Sequence, residues 1–84
     1  MNLNNENPAM NYAQQNALKF IFSHPGYNTE MITNALAGVD NPSARYEVAN
    51  AVEYLVWQTP YVIRSNETQA IYITDSGNAA LETV

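Results

Sequence analysis

The chain has 84 residues, a length that suffices for one folded domain but not for two. Hydrophobic residues make up 46% of it, as is usual for a globular protein. It has no cysteine and a single histidine, so disulfides, thiolate metal sites and clusters of imidazoles are excluded. Three basic residues stand against eight acidic ones, a formal net charge of -5, and any partner must tolerate that sign.

No apolar run approaches the roughly 18 residues that a membrane helix needs. The first basic residue is Lys19, so the basic start of a signal peptide is missing. We therefore expect a cytoplasmic protein without a membrane partner. Because asparagine dominates the first seven positions, we expect residues 1–7 to form a flexible arm and residues 8–84 to form a single domain.

Asn7 and Pro8 form a helix start, with the asparagine as the cap and the proline in the first turn. The spacing predicts a helix from there to about Ser23, ended by Pro25 and Gly26. Its predicted core face consists of apolar residues three and four positions apart: Ala13, Ala17, Leu18, Ile21 and Phe22.

Two further helices follow. Asn28 caps the first of them, and Gly38 provides its left-handed exit. Its predicted buried side is Met31, Ile32, Ala35 and Leu36. Asn41 and Pro42 start the longest helix, which must end before Pro60. The predicted core stripe of this third helix is Ala44, Val48, Ala51, Val52 and Leu55.

Beyond Pro60 the hydrophobic period changes from 3.6 to 2. Residues 61–64 and 70–74 are rich in β-branched and aromatic side chains, and the polar residues between them are typical of a turn. The pattern predicts a β-hairpin. Thr74 or Asp75 can cap a last short helix that runs through Leu81.

Two stretches of sequence carry a family resemblance. The pattern Val48-x-x-Ala51-Val52-x-x-Leu55 resembles the buried side of a recognition helix. Residues 71–81, in which Thr74 is followed three residues later by Gly77, resemble a final strand that opens into a closing helix. Over residues 8–82 the chain is similar to the winged helix-turn-helix superfamily. The resemblance implies an α+β fold with a three-helix core, a two-stranded β-hairpin wing and a short C-terminal helix.

The connection from Gly38 to Val48 is longer than in a minimal helix-turn-helix, so we expect an extra turn at residues 42–46. In this family the exposed side of the third helix enters the DNA major groove and the wing touches the DNA. The positions so implied to bind DNA or another partner are Ser43, Arg45, Tyr46, Ala49, Asn50 and Glu53 on the helix, and Arg64, Asn66, Thr68 and Gln69 on the wing. Arginine can pair with guanine, and asparagine with adenine, through two hydrogen bonds each.

The charge balance argues against tight DNA binding. A well-bound protein makes on the order of 6 to 10 phosphate contacts, whereas this chain has three cations. Glu47, Glu53 and Glu67 lie where they would repel phosphates. Arg45 and Arg64 are equally compatible with a functional contact and with an ion pair to one of these carboxylates.

The sequence shows no carboxylate pair, no nucleophile with a base and no glycine-rich phosphate loop, so we expect no enzyme activity, cofactor, metal or small-molecule substrate. His24 suits a structural role, because an imidazole complements the dipole at the end of the first helix. Four aromatic residues form a further candidate group: Tyr54, Trp57, Tyr61 and Tyr72. Such side chains are able to stack on bases, but they are more typical of core or dimer packing.

Two functions remain open. The resemblance favours a small regulator, transcriptional or encoded on a phage or other mobile element, that binds DNA as a dimer or beside a partner. The charge favours an acidic docking module that inhibits or recruits a basic, nucleic-acid-handling host protein, as antirepressors, DNA mimics and anti-defence proteins do. In either case we predict a homodimer that forms through Met10, Tyr12 and Phe20 of the first helix.

Overall fold

The computed structural model of the protein describes residues 9–83, so the expected arm at residues 1–7 lies outside the described residues. The fold is α+β, with four helices and one two-stranded antiparallel sheet in that part of the chain. The elements are α1 (Tyr12–Ser23), α2 (Thr29–Ala37), α3 (Pro42–Gln58), β1 (Val62–Arg64), β2 (Ile71–Ile73) and α4 (Asp75–Leu81). The predicted order of three helices, a hairpin and a closing helix is confirmed.

The predicted start of α1 is wrong. The helix begins at Tyr12, with Asn11 rather than Asn7 as its cap. The Asn11 side chain accepts a hydrogen bond from the Gln14 backbone N–H (2.8 Å), and the Gln14 side chain accepts one from the Asn11 N–H (2.9 Å). This reciprocal capping box satisfies two backbone donors of the first turn, which explains the later start.

The predicted boundaries of the next two helices are confirmed. Asn28 caps α2 and Asn41 caps α3, each by accepting a backbone N–H three residues later. Gly38 ends α2 with φ +74°, a left-handed conformation that favours glycine. Pro42 lies in the first turn of α3, so the extra turn expected there belongs to this helix.

The core lies where α1, α3 and the hairpin meet. Its largest fully buried side chains are Leu18, Ile21, Ile32, Val52, Leu55, Tyr61 and Ile71. The core stripe of α3 is confirmed, with Ala51, Val52 and Leu55 buried and the two N-terminal members half-buried.

Four side chains predicted to lie in the core are exposed: Phe22 of α1, and Met31, Ala35 and Leu36 of α2. In α2 the buried positions are Ile32 and Thr33. Thr33 can be buried because its hydroxyl donates to the backbone carbonyl of Thr29 (2.7 Å). Helix α2 therefore buries a narrow stripe instead of the broad apolar face that its composition suggests.

The hairpin has one paired outer edge and one open outer edge. Ile63 of β1 lies opposite Tyr72 of β2. The α1–α2 connection covers the outer edge of β2, because Gly26 donates its backbone N–H to the Ile71 carbonyl (2.9 Å) and Ile71 donates to the Tyr27 carbonyl (3.1 Å). Within residues 9–83, no backbone segment makes equivalent hydrogen bonds to the outer edge of β1.

Thr74 joins β2 to α4. Its hydroxyl donates to the Pro60 carbonyl (2.6 Å) and accepts the Gly77 backbone N–H (3.1 Å), so it is the cap of α4. Gly77 is buried, and a Cβ atom added there would overlap the carbonyl oxygen of Tyr61. The spacing of Thr74 and Gly77 thus has a packing cause: the first turn of α4 lies directly on the chain that enters β1.

The helices described at residues 9–83 are all too short or too polar to cross a lipid bilayer.

Candidate functional site

Three of the predicted site residues of α3 are exposed to solvent. Ser43, Tyr46 and Asn50 are exposed, with Tyr46 at 72%. Arg45 and Ala49 are half-buried where α3 faces α2. The helix therefore brings together the positions that the resemblance implied, but it divides them between an open face and a packed flank.

Arg45 is hydrogen-bonded within the protein. Its guanidinium donates to the Asn34 side chain (2.7 Å) and to the backbone carbonyl of Gly38. Both acceptors lie at the end of α2, so Arg45 fixes the connection between α2 and α3. Among residues 9–83 it forms none of the three ion pairs that the sequence suggested, with Glu47, Glu53 or Glu67.

Arg64 forms the ion pair that was one of its two predicted roles, and the partner is Glu53 (2.7 Å). The same carboxylate accepts hydrogen bonds from the Thr29 hydroxyl (3.1 Å) and from the Trp57 indole N–H (3.1 Å). The Arg64 guanidinium carbon also lies 5.8 Å from the centre of the Trp57 ring. We call Thr29, Glu53, Trp57 and Arg64 the Glu53 cluster; it connects α2, α3 and β1.

Glu53 is ionised in this setting. The hydrogen bond from Arg64 holds the pKa of its carboxyl below the ordinary value of 4.5. Partial burial acts in the opposite direction, and the hydrogen bonds from Trp57 and Thr29 add to the lowering. The cluster is therefore an internal, charge-balanced unit, although its side chains are only partly shielded from water.

The predicted residues at the turn of the hairpin are exposed, and their polar groups are largely used within the turn. Gln69 adopts a left-handed backbone conformation with φ +66°, and its side-chain amide donates to the Asn66 carbonyl (3.2 Å). The Thr68 hydroxyl accepts the Ala70 backbone N–H (3.2 Å). These contacts shape the turn. Of the three predicted residues, only Asn66 has a side chain that makes no hydrogen bond among residues 9–83.

The predicted aromatic group does not form one surface. Tyr61 is buried in the core, so the core interpretation is confirmed for this residue. Trp57 is 70% exposed, and Tyr72 is exposed on the outer face of the hairpin. Core packing is therefore the wrong interpretation for Trp57 and Tyr72. The Trp57 ring lies on the surface, where its contacts in the Glu53 cluster hold it.

A groove of about 720 Å³ lies between α2 and α3, and five of the eight residues that line it were not predicted as site residues: Thr29, Glu30, Thr33, Val39 and Pro42. Glu30 and Val39 line it together with the predicted Arg45, Tyr46 and Ala49. Val39 is 70% exposed. The sequence contained an indication of this: Val39 is an apolar residue directly after Gly38, which ends the helix, and it belongs to neither of the adjacent core stripes.

A second groove, of about 660 Å³, runs between α1 and α3 beside Tyr12, Lys19, Glu47 and Val48. Tyr12 is exposed as predicted for a dimer surface. Met10 and Phe20 were predicted to be exposed beyond the core, and this is wrong, because both are half-buried and pack against it. Phe20 also stacks on His24 at 4.1 Å between ring centres.

His24 ends α1, in agreement with its predicted place. Its backbone N–H donates to the Phe20 carbonyl (2.9 Å), and its ring nitrogen Nδ1 lies 3.2 Å from the same oxygen. Tyr27 packs against both rings, edge-on to Phe20. Within the described residues no three histidine or acidic side chains are grouped closely enough to hold a metal ion.

Comparison with known proteins gives no relative: the chain matches no family model, no curated protein and no solved structure. The geometry of the α3 face therefore has to be interpreted from its own chemistry.

Proposed function

We propose that this chain is a winged-helix domain that docks on a protein through the exposed face of α3, and that the partner presents basic groups to it. One observation carries the proposal. Both arginines implied to meet DNA, Arg45 of α3 and Arg64 of β1, are hydrogen-bonded within the chain. By contrast, Tyr46 and Trp57 of α3 are more than two-thirds exposed.

The winged-helix assignment rests on the order of the elements and on the junction at Thr74. Three helices precede an antiparallel hairpin, and α4 packs back through Gly77 onto the chain entering β1. The same fold serves both DNA binding and protein docking, so the choice between these functions depends on the surface.

The surface lacks free cations where DNA would lie. Arg64 is already ion-paired with Glu53, so its charge is largely offset and a carboxylate would lie beside any phosphate that it contacts. Arg45 is held at the end of α2 by its hydrogen bonds to Asn34 and Gly38, which restrict where its guanidinium can reach. The remaining cation of the chain, Lys19, lies on α1. Since phosphate neutralisation dominates DNA affinity, this arrangement gives a duplex little to bind.

The same surface suits a protein. Exposed tyrosine and tryptophan side chains are the commonest anchors of protein interfaces, and Tyr46 borders a groove that also contains Val39. In the described part of the chain, the side chains of Glu30 and Glu47 make no hydrogen bond or ion pair, so both carboxylates are available to basic groups of a partner.

A photoreactive residue at position 46 tests the docking face directly, in the cell where the protein naturally occurs. We expect position 46 to give a discrete protein adduct, and Glu47→Gln to reduce its yield by slowing association. Position 22, where Phe22 is exposed on α1, is the matched control and should give none. Adducts that nuclease removes would contradict the proposal.

Direct DNA binding is the second candidate, favoured by the exposed Ser43 and Asn50 on the same face. Wild type and the Glu47→Gln/Glu53→Gln variant can be titrated with duplex DNA at low and high salt. We expect no complex with either protein. A complex that tightens in the double variant and weakens with salt would replace docking by the regulator function.

A further inference from the structure

The outer edge of β1 can be described atom by atom. Backbone hydrogen bonds join Thr74 to Tyr61 (2.9 Å) and Ser65 to Ala70 (2.9 Å) across the hairpin. Hydrogen-bonded pairs alternate with non-hydrogen-bonded pairs in an antiparallel ladder. Ile63 and Tyr72 are therefore a hydrogen-bonded pair, while the N–H and C=O groups of Val62 and Arg64 point away from β2.

The other strand confirms this assignment. Ile71 is the cross-strand partner of Arg64, and its own backbone groups point outward to Gly26 and Tyr27. That edge is occupied. At β1, the four outward groups of Val62 and Arg64 make no hydrogen bond within residues 9–83.

These four groups complement a second copy of themselves. When two β1 strands meet antiparallel about a two-fold axis at Ile63, Val62 of one copy lies opposite Arg64 of the other. Each such pair exchanges two hydrogen bonds, so all four outward groups of each copy are satisfied. A shift of one residue would leave these groups unmatched.

The side chains fit the same register. Ile63 is 60% exposed and would lie against its own counterpart, as a close non-hydrogen-bonded pair. Tyr72, exposed beside it, would extend the apolar row on both sides. Arg64 is the one charged residue of β1, lies away from the axis and is already paired with Glu53. No like charges meet at the centre.

We propose that the protein forms a symmetric homodimer through the outer edge of β1, with Ile63 on the two-fold axis, to give a continuous four-stranded sheet. This interface is separate from the α1 surface first predicted and from the proposed docking face of α3. Three residues a side make a small contact, so the dimer is weak and depends on concentration. Salt strengthens it, because two chains of charge -5 repel each other.

Charge pairing at position 63 tests the register. Sedimentation over a concentration series up to about 1 mM should show Ile63→Lys and Ile63→Glu each self-associating at least about tenfold more weakly than wild type. An equimolar mixture of the two variants should dimerise again, because only the proposed register places residue 63 opposite itself. Thermal unfolding checks that each variant is folded, as expected for an exposed position.

A backbone test uses proline at the edge. Arg64→Pro removes an outward N–H without touching a hydrogen bond to β2, and Arg64→Ala is its control because it loses the same ion pair. We expect the proline variant alone to lose self-association by about tenfold or more.

Three results would overturn the dimer: a wild type that stays monomeric throughout the series, a mixture of the position-63 variants that stays monomeric, or a dimer that is lost with Tyr12→Lys but unaffected by the position-63 variants. The docking function has different readouts, namely the protein adduct from position 46 and its lower yield with Glu47→Gln. Failure of one proposal therefore leaves the other standing.

Discussion

Glu53 shows how a single residue can hold three elements together. Its carboxylate accepts hydrogen bonds from α2, α3 and β1, through Thr29, Trp57 and Arg64. The sequence placed an arginine and three glutamates in the same region but could not select the pair, because the choice depends on where β1 passes α3. Spacing along the chain does not contain that information.

Glu53→Gln should destabilise the protein near neutral pH by about 1 kcal/mol, a value kept small because the side chains are partly exposed. The folded-state pKa of Glu53 is lowered, so its contribution is present above the ordinary value of 4.5 and is lost as the pH falls through the folded-state pKa. Urea unfolding of the wild type and of Glu53→Gln at pH 7 and pH 3 measures this difference in unfolding free energy.

Glu47→Gln is the control for that experiment, since the Glu47 side chain is exposed on the same helix and makes no hydrogen bond among residues 9–83. Its unfolding free energy should equal that of wild type at both pH values. Equal losses in the two variants would show that the Glu53 cluster adds nothing to stability.

Gly77→Ala should lower the free energy of unfolding by about 2 to 3 kcal/mol. The new methyl group would overlap the backbone carbonyl of Tyr61, which cannot move away as a flexible side chain could. Ser76→Ala, at an exposed position of the same turn, should change the unfolding free energy by less than about 0.5 kcal/mol. Thermal unfolding compares the two. A stable Gly77→Ala variant would mean that α4 does not rest on the chain at Tyr61.

At the scale of elements, α1 shows that a helix start is a competition between caps. Asn7 with Pro8 and Asn11 with Gln14 both have the composition of a helix start, and only the first was predicted to be one. The capping box decides in favour of Asn11. The starts of α2 and α3 were predicted correctly because each has a single asparagine at that point.

Asn11→Ala should therefore cost about 1 kcal/mol, the usual value of a side-chain cap. Asn7→Ala is the matched comparison and should have a much smaller effect, because Asn7 precedes the start of α1 by five residues. Helix content by circular dichroism and the melting temperature should both fall in the Asn11 variant. A larger fall in the Asn7 variant would show that Asn7 caps the helix, as first predicted.

The burial of α2 was less predictable than its ends. Its composition offers a broad apolar face, yet Met31 and Leu36 are exposed and Thr33 is buried. Apolar spacing indicates which residues share a helix face, but the depth of contact depends on how closely neighbouring helices approach. In so small a fold, α2 packs chiefly on α3 and lies at the margin of the core.

For the whole molecule, the core around Leu55 determines whether the chain folds. Leu55→Ala should cost about 2 to 5 kcal/mol, a large share of the roughly 5 to 15 kcal/mol that holds a typical domain together. Leu36→Ala is a matched leucine control, and its exposed side chain should cost under about 1 kcal/mol. Similar melting curves for the two variants would contradict the core described here.

The distribution of charge over the whole molecule explains why the site was only half predictable. The sequence identified the helix, the exposed Tyr46 and Asn50, and the shortage of cations. It could not show that Arg45 is used to hold the end of α2. A resemblance places residues on a face, whereas the availability of each charge depends on contacts between elements distant in sequence.

Trp57 is the only tryptophan of the chain, and it lies on the surface with its indole N–H bonded to Glu53 and its ring beside Arg64. The intrinsic fluorescence of the protein therefore comes chiefly from one position near the C-terminal end of α3. Its emission will respond to whatever covers this end of the helix and to protonation of the neighbouring carboxylate. Binding at this surface can thus be followed optically on the unmodified protein, without attaching a label to the face under study.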